Sequence, residues 1–587
     1  MNMPVDDEAH TMSEREFYEL KQEAAKYYTK NKVPEKLEEI LNSMFYEKPD
    51  DVYGRLSKYF ETMSLPSQIC KIKSTIVMDS TGSSAISCQV FGIVRNESKL
   101  LSSTSMSVAP ELSLLPVPPP ESDEKEPTKE NIASLCSTFL QSTLCDKLNG
   151  LCPMDQREID YVLRKWIDEE EDKARPAVNV EVDDNRTPTP SSGPKKKAPS
   201  AKGKGKQPDK PVPPYEAFEF RLQGGTAVAT ASLAVLVAAA SFLEKPVFDH
   251  MHNVVDATKP ITFPVPSMNI ISGGKTSLGK LNITKNIFVI TKPGLSMEDS
   301  VQKLTQVFHQ VGKILSAKGP APPIGITGGY QPSFEKIEQP LDLLQEAGTA
   351  LGLNAGQDIF IGIECAAHEV FDYSKGKYEI MAGSLKSADE LVDYYKDIIT
   401  RYPAIIALVD PFRKEDREQW PKCCELLSEK CFIIGSDHIY GSTHAVNASA
   451  FEIRPSSGLM FNMGGRVTLT DITETTKAVH ERKGIAIFGS PAGDVCNAVF
   501  SDLAVGLDCD VVRFGAPCRG ENIERINRLI EIERYAKDNE ISFNYHPAFV
   551  FPSIRPPSPQ LNEDDNDQQP PSNMSTTASA DTKSKKK

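Results

Sequence analysis

The sequence predicts an α/β protein whose main body is a TIM-type (β/α)8 barrel, preceded by an α+β domain and a small all-α hairpin. Three observations carry this. From Pro264 to about Phe551, strand signals alternate with amphipathic helical stretches; they fall at Ile287–Ile290, Ile324–Gly325, Ile359–Ile363, Ile405–Leu408, Phe432–Ile434, Leu459–Phe461, Ile485–Phe488 and Val511–Val512. Eight such units close a parallel sheet on itself. Between Val33 and Ser64 two helical periods flank Pro49, and between hairpin and barrel Ile72–Val94 reads as strands and Glu130–Glu171 as helices.

A chain of 587 residues exceeds a single core. It divides into a helical region over 1–66, an α+β domain over 67–262 with a Lys/Pro/Ser/Gly-rich insertion at about 175–214, a barrel over 263–551 and a polar tail over 552–587. The insertion and tail bury too little apolar area to order themselves. Formal charge is −15, with lysine concentrated in the insertion and at the last residues. That pattern argues against a nucleic-acid-binding face on a folded domain. The 12 cysteines follow no disulfide framework, and Cys423-Cys424 is not a metal-type pair, so a reduced, cytoplasmic setting is expected. The first residues, MNMPVDDEAH, are acidic where a signal peptide is basic. Thr226–Leu243, the longest apolar run, is largely alanine and ends at Glu244-Lys245, short of the roughly 20 residues a membrane span needs. It is expected to be a buried core helix, with no membrane partner.

In the hairpin, Leu37, Ile40, Leu41, Met44 and Phe45 form one stripe and Val52, Leu56, Tyr59, Phe60 and Met63 a second. So small a unit cannot bury both stripes alone, and pairing with a second copy is the economical remedy. Pro34, Leu37, Ile40-Leu41, then Pro49, Asp51-Val52 and Tyr59-Phe60 resemble the dimerisation and docking domains of protein kinase A regulatory subunits. The resemblance implies a homodimer whose groove receives an amphipathic helix of an anchoring protein through residues 33–64. It also implies placement in an assembly such as a cilium or sperm flagellum.

The stretch Val511–Glu533 reads as strand, polar loop and helix, and Arg513 at the strand end points into the mouth where such barrels carry their chemistry. The wording Gly515-Ala516-Pro517-Cys518-Arg519, then Glu521 and the helix from Asn527, resembles the last strand and helix of enolases. Asp79-Ser80-Thr81-Gly82, Asp155-Gln156 with Ile159-Asp160, and Gly225 with Ala227 and Ser232 extend the resemblance from Ile72 to Phe551, toward the divergent, sperm-associated type. It implies a barrel whose second strand runs against the others. It also implies a mobile loop after the N-terminal strands, placed at Leu101–Ser107, which has hydroxyls but no glycine to free its backbone.

Enolases take the C2 proton of 2-phosphoglycerate with a lysine and expel the C3 hydroxyl with help from a glutamate, while Mg²⁺ stabilises the intermediate. By resemblance Asn462 stands at the base position and Thr327 at the acid position. Arg513 replaces a substrate-binding lysine, Ser490 lies where a histidine–arginine clamp is implied, and Thr276 replaces a loop histidine. Of the metal ligands Glu364, glutamate for the family's aspartate, and Asp437 remain; Val409 and Ser436 stand at the other ligand positions. Asp410 is not expected to replace Val409, because neighbouring strand residues face opposite ways. Mg²⁺ binding is therefore expected to be weak or absent. Two readings stay open: a scaffold with most catalytic groups replaced, or a working phosphopyruvate hydratase of glycolysis, alone or in mixed oligomers with other enolases.

Overall fold

The computed structural model describes residues 14–114, 127–174, 222–275, 277, 279–436, 439 and 455–551. The 175–214 insertion, the 552–587 tail and the proline-rich stretch before residue 121 lie outside the described residues.

Helices Val33–Glu47 and Val52–Glu61 form where the two stripes predict them, and Asp51 caps the second by accepting the Gly54 N–H at 2.8 Å. A further helix, Glu14–Lys30, precedes them, outside the two apolar periods. Ile40 is fully buried, but Leu41, Phe45 and Tyr53 are 54%, 71% and 83% exposed. Within the chain the stripes are thus only partly covered: Leu37, Leu41, Phe45, Val52, Phe60 and Met63 stay exposed.

Strands Gln68–Met78, Ser84–Val94 and Glu97–Ser107 make an antiparallel sheet in that order. Its second turn is the pair Arg95-Asn96, both at positive φ (54° and 66°), the geometry that matches strand twist in a two-residue hairpin. The expected mobile loop is corrected here: Leu101–Ser107 belongs to the third strand. The buried hydroxyls of Ser102 and Thr104 lie on the face turned to a helix, Thr226–Phe242, whose alanines allow close approach, and Ser102 Oγ donates to the Ala234 carbonyl at 2.7 Å. That helix is buried along nearly its whole length, as its composition predicts. It bends by 104° into Val247–Asp256, and among the described residues no single helix is long and apolar enough to cross a membrane.

Eight strands close the barrel: Val265–Ser272, Asn286–Thr291, Ile359–Glu364, Ile405–Val409, Phe432–Ser436, Gly458–Phe461, Ile485–Gly489 and Val511–Arg513. Asn286–Thr291 runs antiparallel to both neighbours and the remaining contacts are parallel, in line with the implied variant. One strand assignment is corrected. Ile324–Gly325 forms only an isolated bridge to Tyr330, and the first barrel strand is instead Val265–Ser272, whose alternation Pro266 and Asn269 interrupt. At the opposite end from the mouth, Phe549 and Phe551 pack on Phe360 and Phe432.

Candidate active site

A cavity of about 400 Å³ opens at the C-terminal ends of the barrel strands, where this architecture gathers side chains from several strands. Asn462, Thr327, Glu364, Ser436, Ser490 and Arg513 all line it. The structure therefore brings six of the sequence-predicted positions to one place. Thr276 and Asp437 lie outside the described residues. Val409 is not in the lining; it is buried among the apolar side chains that fill the barrel, with Phe288 and Ile434.

Glu364 ends its strand and is the centre of the site. Its Oε2 accepts from Arg513 Nη2 at 2.5 Å and from Asn286 Nδ2 at 2.8 Å. Burial opposes its charge, yet Arg513, Lys285 and the two hydrogen bonds prevail and hold the carboxyl down at about 2. Arg513 is fixed on further sides: Nε donates to Asn269 Oδ1 at 3.1 Å, Nη1 to Met460 Sδ at 3.4 Å, and the guanidinium lies 4.7 Å from the Phe288 ring centre. Lys285 pairs with Glu369 at 2.5 Å; burial alone would lower its pKa, but the carboxylates of Glu364 and Glu369 raise it instead.

Asp410 corrects the expectation drawn from strand alternation. Its φ of 49° takes it out of the strand path, and its side chain turns into the cavity wall. The carboxylate accepts the Ser436 N–H at 2.8 Å and the Ser436 hydroxyl at 2.6 Å. Burial nevertheless pushes the acid up to about 7, and the nearby negative charge of Glu364 adds to the push. Ser436, at a ligand position, thus serves as donor to its neighbour.

Thr327, which the resemblance places at the acid position, has its hydroxyl 2.8 Å from Ser272 Oγ and 3.2 Å from Asn286 Oδ1, inside a network of neutral groups. Asn462 sits opposite Gly489, where a Cβ would come within 2.5 Å of its Oδ1, so a side chain at 489 would require the Asn462 amide to shift. Neither group titrates near neutrality. The sequence did not single out Lys285, Asn286 or Asn269 for the site; no charge pattern marks them, and only the barrel register brings them together.

A wall of the cavity comes from the other domain. Ala109 and Pro110 line it, and the next residue, Glu111, is buried at the start of helix Thr226–Phe242. Its two oxygens accept the N–H groups of Gly224 (2.6 Å), Gly225 (3.2 Å) and Thr226 (2.7 Å) and the Thr226 hydroxyl (2.6 Å). Such a carboxylate satisfies the unpaired donors of a helix N-terminus. Segment Ala109–Leu114 is helical and pinned there. Ser80 also reaches across, donating to Glu521 at 2.8 Å.

Magnesium asks for about six oxygen ligands in a near-octahedral shell. What surrounds Glu364 is a set of N–H donors and two cations, and the Asn286 carbonyl is turned away toward Ser272 and Thr327. Among the described residues no cluster of three or more metal-ligating side chains exists. Among the described residues, the donor set around Glu364 does not fit the ion.

Comparison with known proteins agrees with this architecture. Residues 260–545 match the family model described as "Enolase, C-terminal TIM barrel domain". The chain is 34% identical to "Enolase 4" of Homo sapiens over 575 residues, covering 92% of this chain and 91% of that one. It is 36% identical over 545 residues to "Enolase 4" of Xenopus tropicalis, covering 88% and 92%. With "Enolase 4" of Danio rerio the figure is 33% over 543 residues, 89% and 92%. Barrel, reversed second strand and relatives along nearly its whole length agree: this chain belongs to the enolase family.

Proposed function

We propose that this chain is an enolase-fold scaffold with its hydratase chemistry lost, carried in a cytoplasmic assembly of the ciliary or flagellar kind. The observation that carries the reading is the state of the site around Glu364. The base position holds an amide, Asn462, and the acid position a threonine whose hydroxyl sits among neutral partners. A general acid or base contributes about 10²- to 10⁴-fold each, so losing both costs roughly 10⁴- to 10⁸-fold. The implied Mg²⁺ has no shell among the described residues. Fold and activity are separable properties, and here the glycines, strands and helices of the fold are kept while its chemical groups are exchanged.

The exposed members of the stripes on Val33–Glu47 and Val52–Glu61 support the scaffold half of the proposal. They give the chain a homodimeric helical hairpin and a groove for the amphipathic helix of an anchoring protein, as their resemblance to kinase-subunit docking domains implies. The test is a coupled hydratase assay on the purified full chain with 2-phosphoglycerate and Mg²⁺. No turnover above background is expected. Turnover within about tenfold of the usual enzyme median of ~10 s⁻¹ would establish the working-hydratase reading instead.

A further inference from the structure

Two departures from the family wording each lengthen a side chain: Glu364 stands where the resemblance implies aspartate, and Arg513 where it implies lysine. The lengthened side chains meet, with Arg513 Nη2 at 2.5 Å from Glu364 Oε2. We infer that the Arg513 guanidinium is the resident cation of this pocket, standing in for the divalent metal, and that the site is consequently independent of Mg²⁺. Arginine suits the role because it keeps its charge under all ordinary conditions and holds it in a rigid plane. That plane is fixed by Asn269, Met460 and Phe288 besides Glu364. The pair is largely withdrawn from water, at 8% and 14% side-chain exposure, so its attraction is little screened.

The rest of the pocket keeps the same balance. Lys285 faces Glu364 electrostatically and is paired with Glu369. Asn286 presents its N–H₂ to Glu364 and its carbonyl away from it. A divalent ion approaching Glu364 would meet two cations and an amide donor, with the nearby Asp410 carboxyl already engaged by Ser436, and would have to displace the guanidinium first. The ion's binding energy is then spent against a competitor that is covalently part of the chain. Effective concentration favours the tethered cation.

The inference rests on the reading of the site given above, but its readouts are stability and metal binding, not turnover. The full chain is melted in EDTA and in millimolar Mg²⁺, and Mn²⁺ is titrated calorimetrically as a probe. Wild type should show the same Tm in both buffers and no Mn²⁺ binding. Arg513→Ala should melt lower, and millimolar Mg²⁺ or Mn²⁺ should recover part of the loss, because Glu364 is released to accept a metal. Adding Glu364→Gln should abolish that recovery. Where Arg513→Ala does not fold, Arg513→Lys retains a charge too short for the Glu364 contact and should show a smaller metal response. A wild-type Tm that EDTA lowers, or a flat response to both metals in each Arg513 variant that folds, overturns the inference. An inactive chain that binds Mn²⁺ would sink this proposal and leave the scaffold reading standing; an active chain with a metal-independent Tm would do the reverse.

Discussion

Asp160 Oδ2 accepts both the backbone N–H of Thr470 at 2.8 Å and its hydroxyl at 2.6 Å, tying the N-terminal helix Gln156–Ala174 to the barrel helix Leu469–Glu481. The other oxygen accepts from Ser232 Oγ at 2.6 Å and Gln156 Nε2 at 2.9 Å. One fully buried carboxylate thus serves three elements. Asp160→Ala should cost about 2–4 kcal/mol, since several buried donors lose their acceptor at once. Asp160→Asn, which keeps an acceptor oxygen, should cost less. Denaturant melts of both variants check the order, and equal effects would count against the shared-acceptor account.

Asp410 gives a pH signature. Its folded value is raised to about 7 by burial, whereas an unfolded aspartate titrates near 3.9. Between roughly pH 4 and 7 the folded chain holds the extra proton, so this residue's contribution to stability falls as pH rises through that window. Asp410→Asn should be near neutral at low pH and stabilising at pH 8, by on the order of 2–4 kcal/mol. Tm measured against pH for both proteins tests the sign. A difference that grows toward acid would refute it.

Glu364 should behave oppositely. Held at about 2 against about 4.3 in an unfolded chain, it contributes stability that is complete above pH 5 and is lost as pH falls toward 2. Glu364→Gln should therefore close its stability gap to wild type in acid. Titration of unfolding free energy between pH 2 and 6 would show the convergence.

Restoring chemistry should need more than the textual replacements. Asn462→Lys, Thr327→Glu, Val409→Glu and Ser436→Asp together leave Arg513 on Glu364 and replace the hydroxyl that donates to Asp410 with a second carboxylate. Phosphoenolpyruvate formation, followed by its ultraviolet absorbance, should stay at background in this quadruple variant. It should rise only when Arg513→Lys and Glu364→Asp are added, because groups that act as a unit are not additive. Activity in the quadruple variant alone would show that the ion pair is no obstacle.

The helical hairpin should be a dimer on its own. Light scattering of a fragment spanning 14–66 should give twice the monomer mass, and Leu41→Asp should return a monomer or an unfolded chain. A stable, monodisperse monomeric wild-type fragment would remove the docking groove.

The barrel and the hairpin were legible because their signals are periodic: apolar stripes on helices, apolar runs in strands. Val265–Ser272 was not, because Pro266 and Asn269 break its pattern and its burial on both faces leaves no alternation to read. Leu101–Ser107 reads as a loop for the converse reason. A strand whose inward positions include Ser102 and Thr104 has the composition of a loop, and only the alanine helix lying against it explains the hydroxyls. Of the site, the replaced positions and Arg513 could be found by wording, but Lys285 and Asn286, the other partners of Glu364, could not. Lys285 and Asn286 sit at the start of the reversed second strand, far in sequence from Glu364 and Arg513, and the left-handed turn at Asp410 leaves no trace in composition.

Glu111 bears on time as well as structure. Its four bonds hold Ala109 and Pro110 as a standing wall of the cavity, on a segment tied to the end of a buried helix. Displacing that segment means leaving a buried carboxylate or several buried N–H groups unpaired, which costs kilocalories for each group. Its excursions should accordingly be rare events. A small molecule visiting the cavity would exchange in one kinetic phase, at a rate set by its own diffusion and affinity, with no waiting time contributed by this wall.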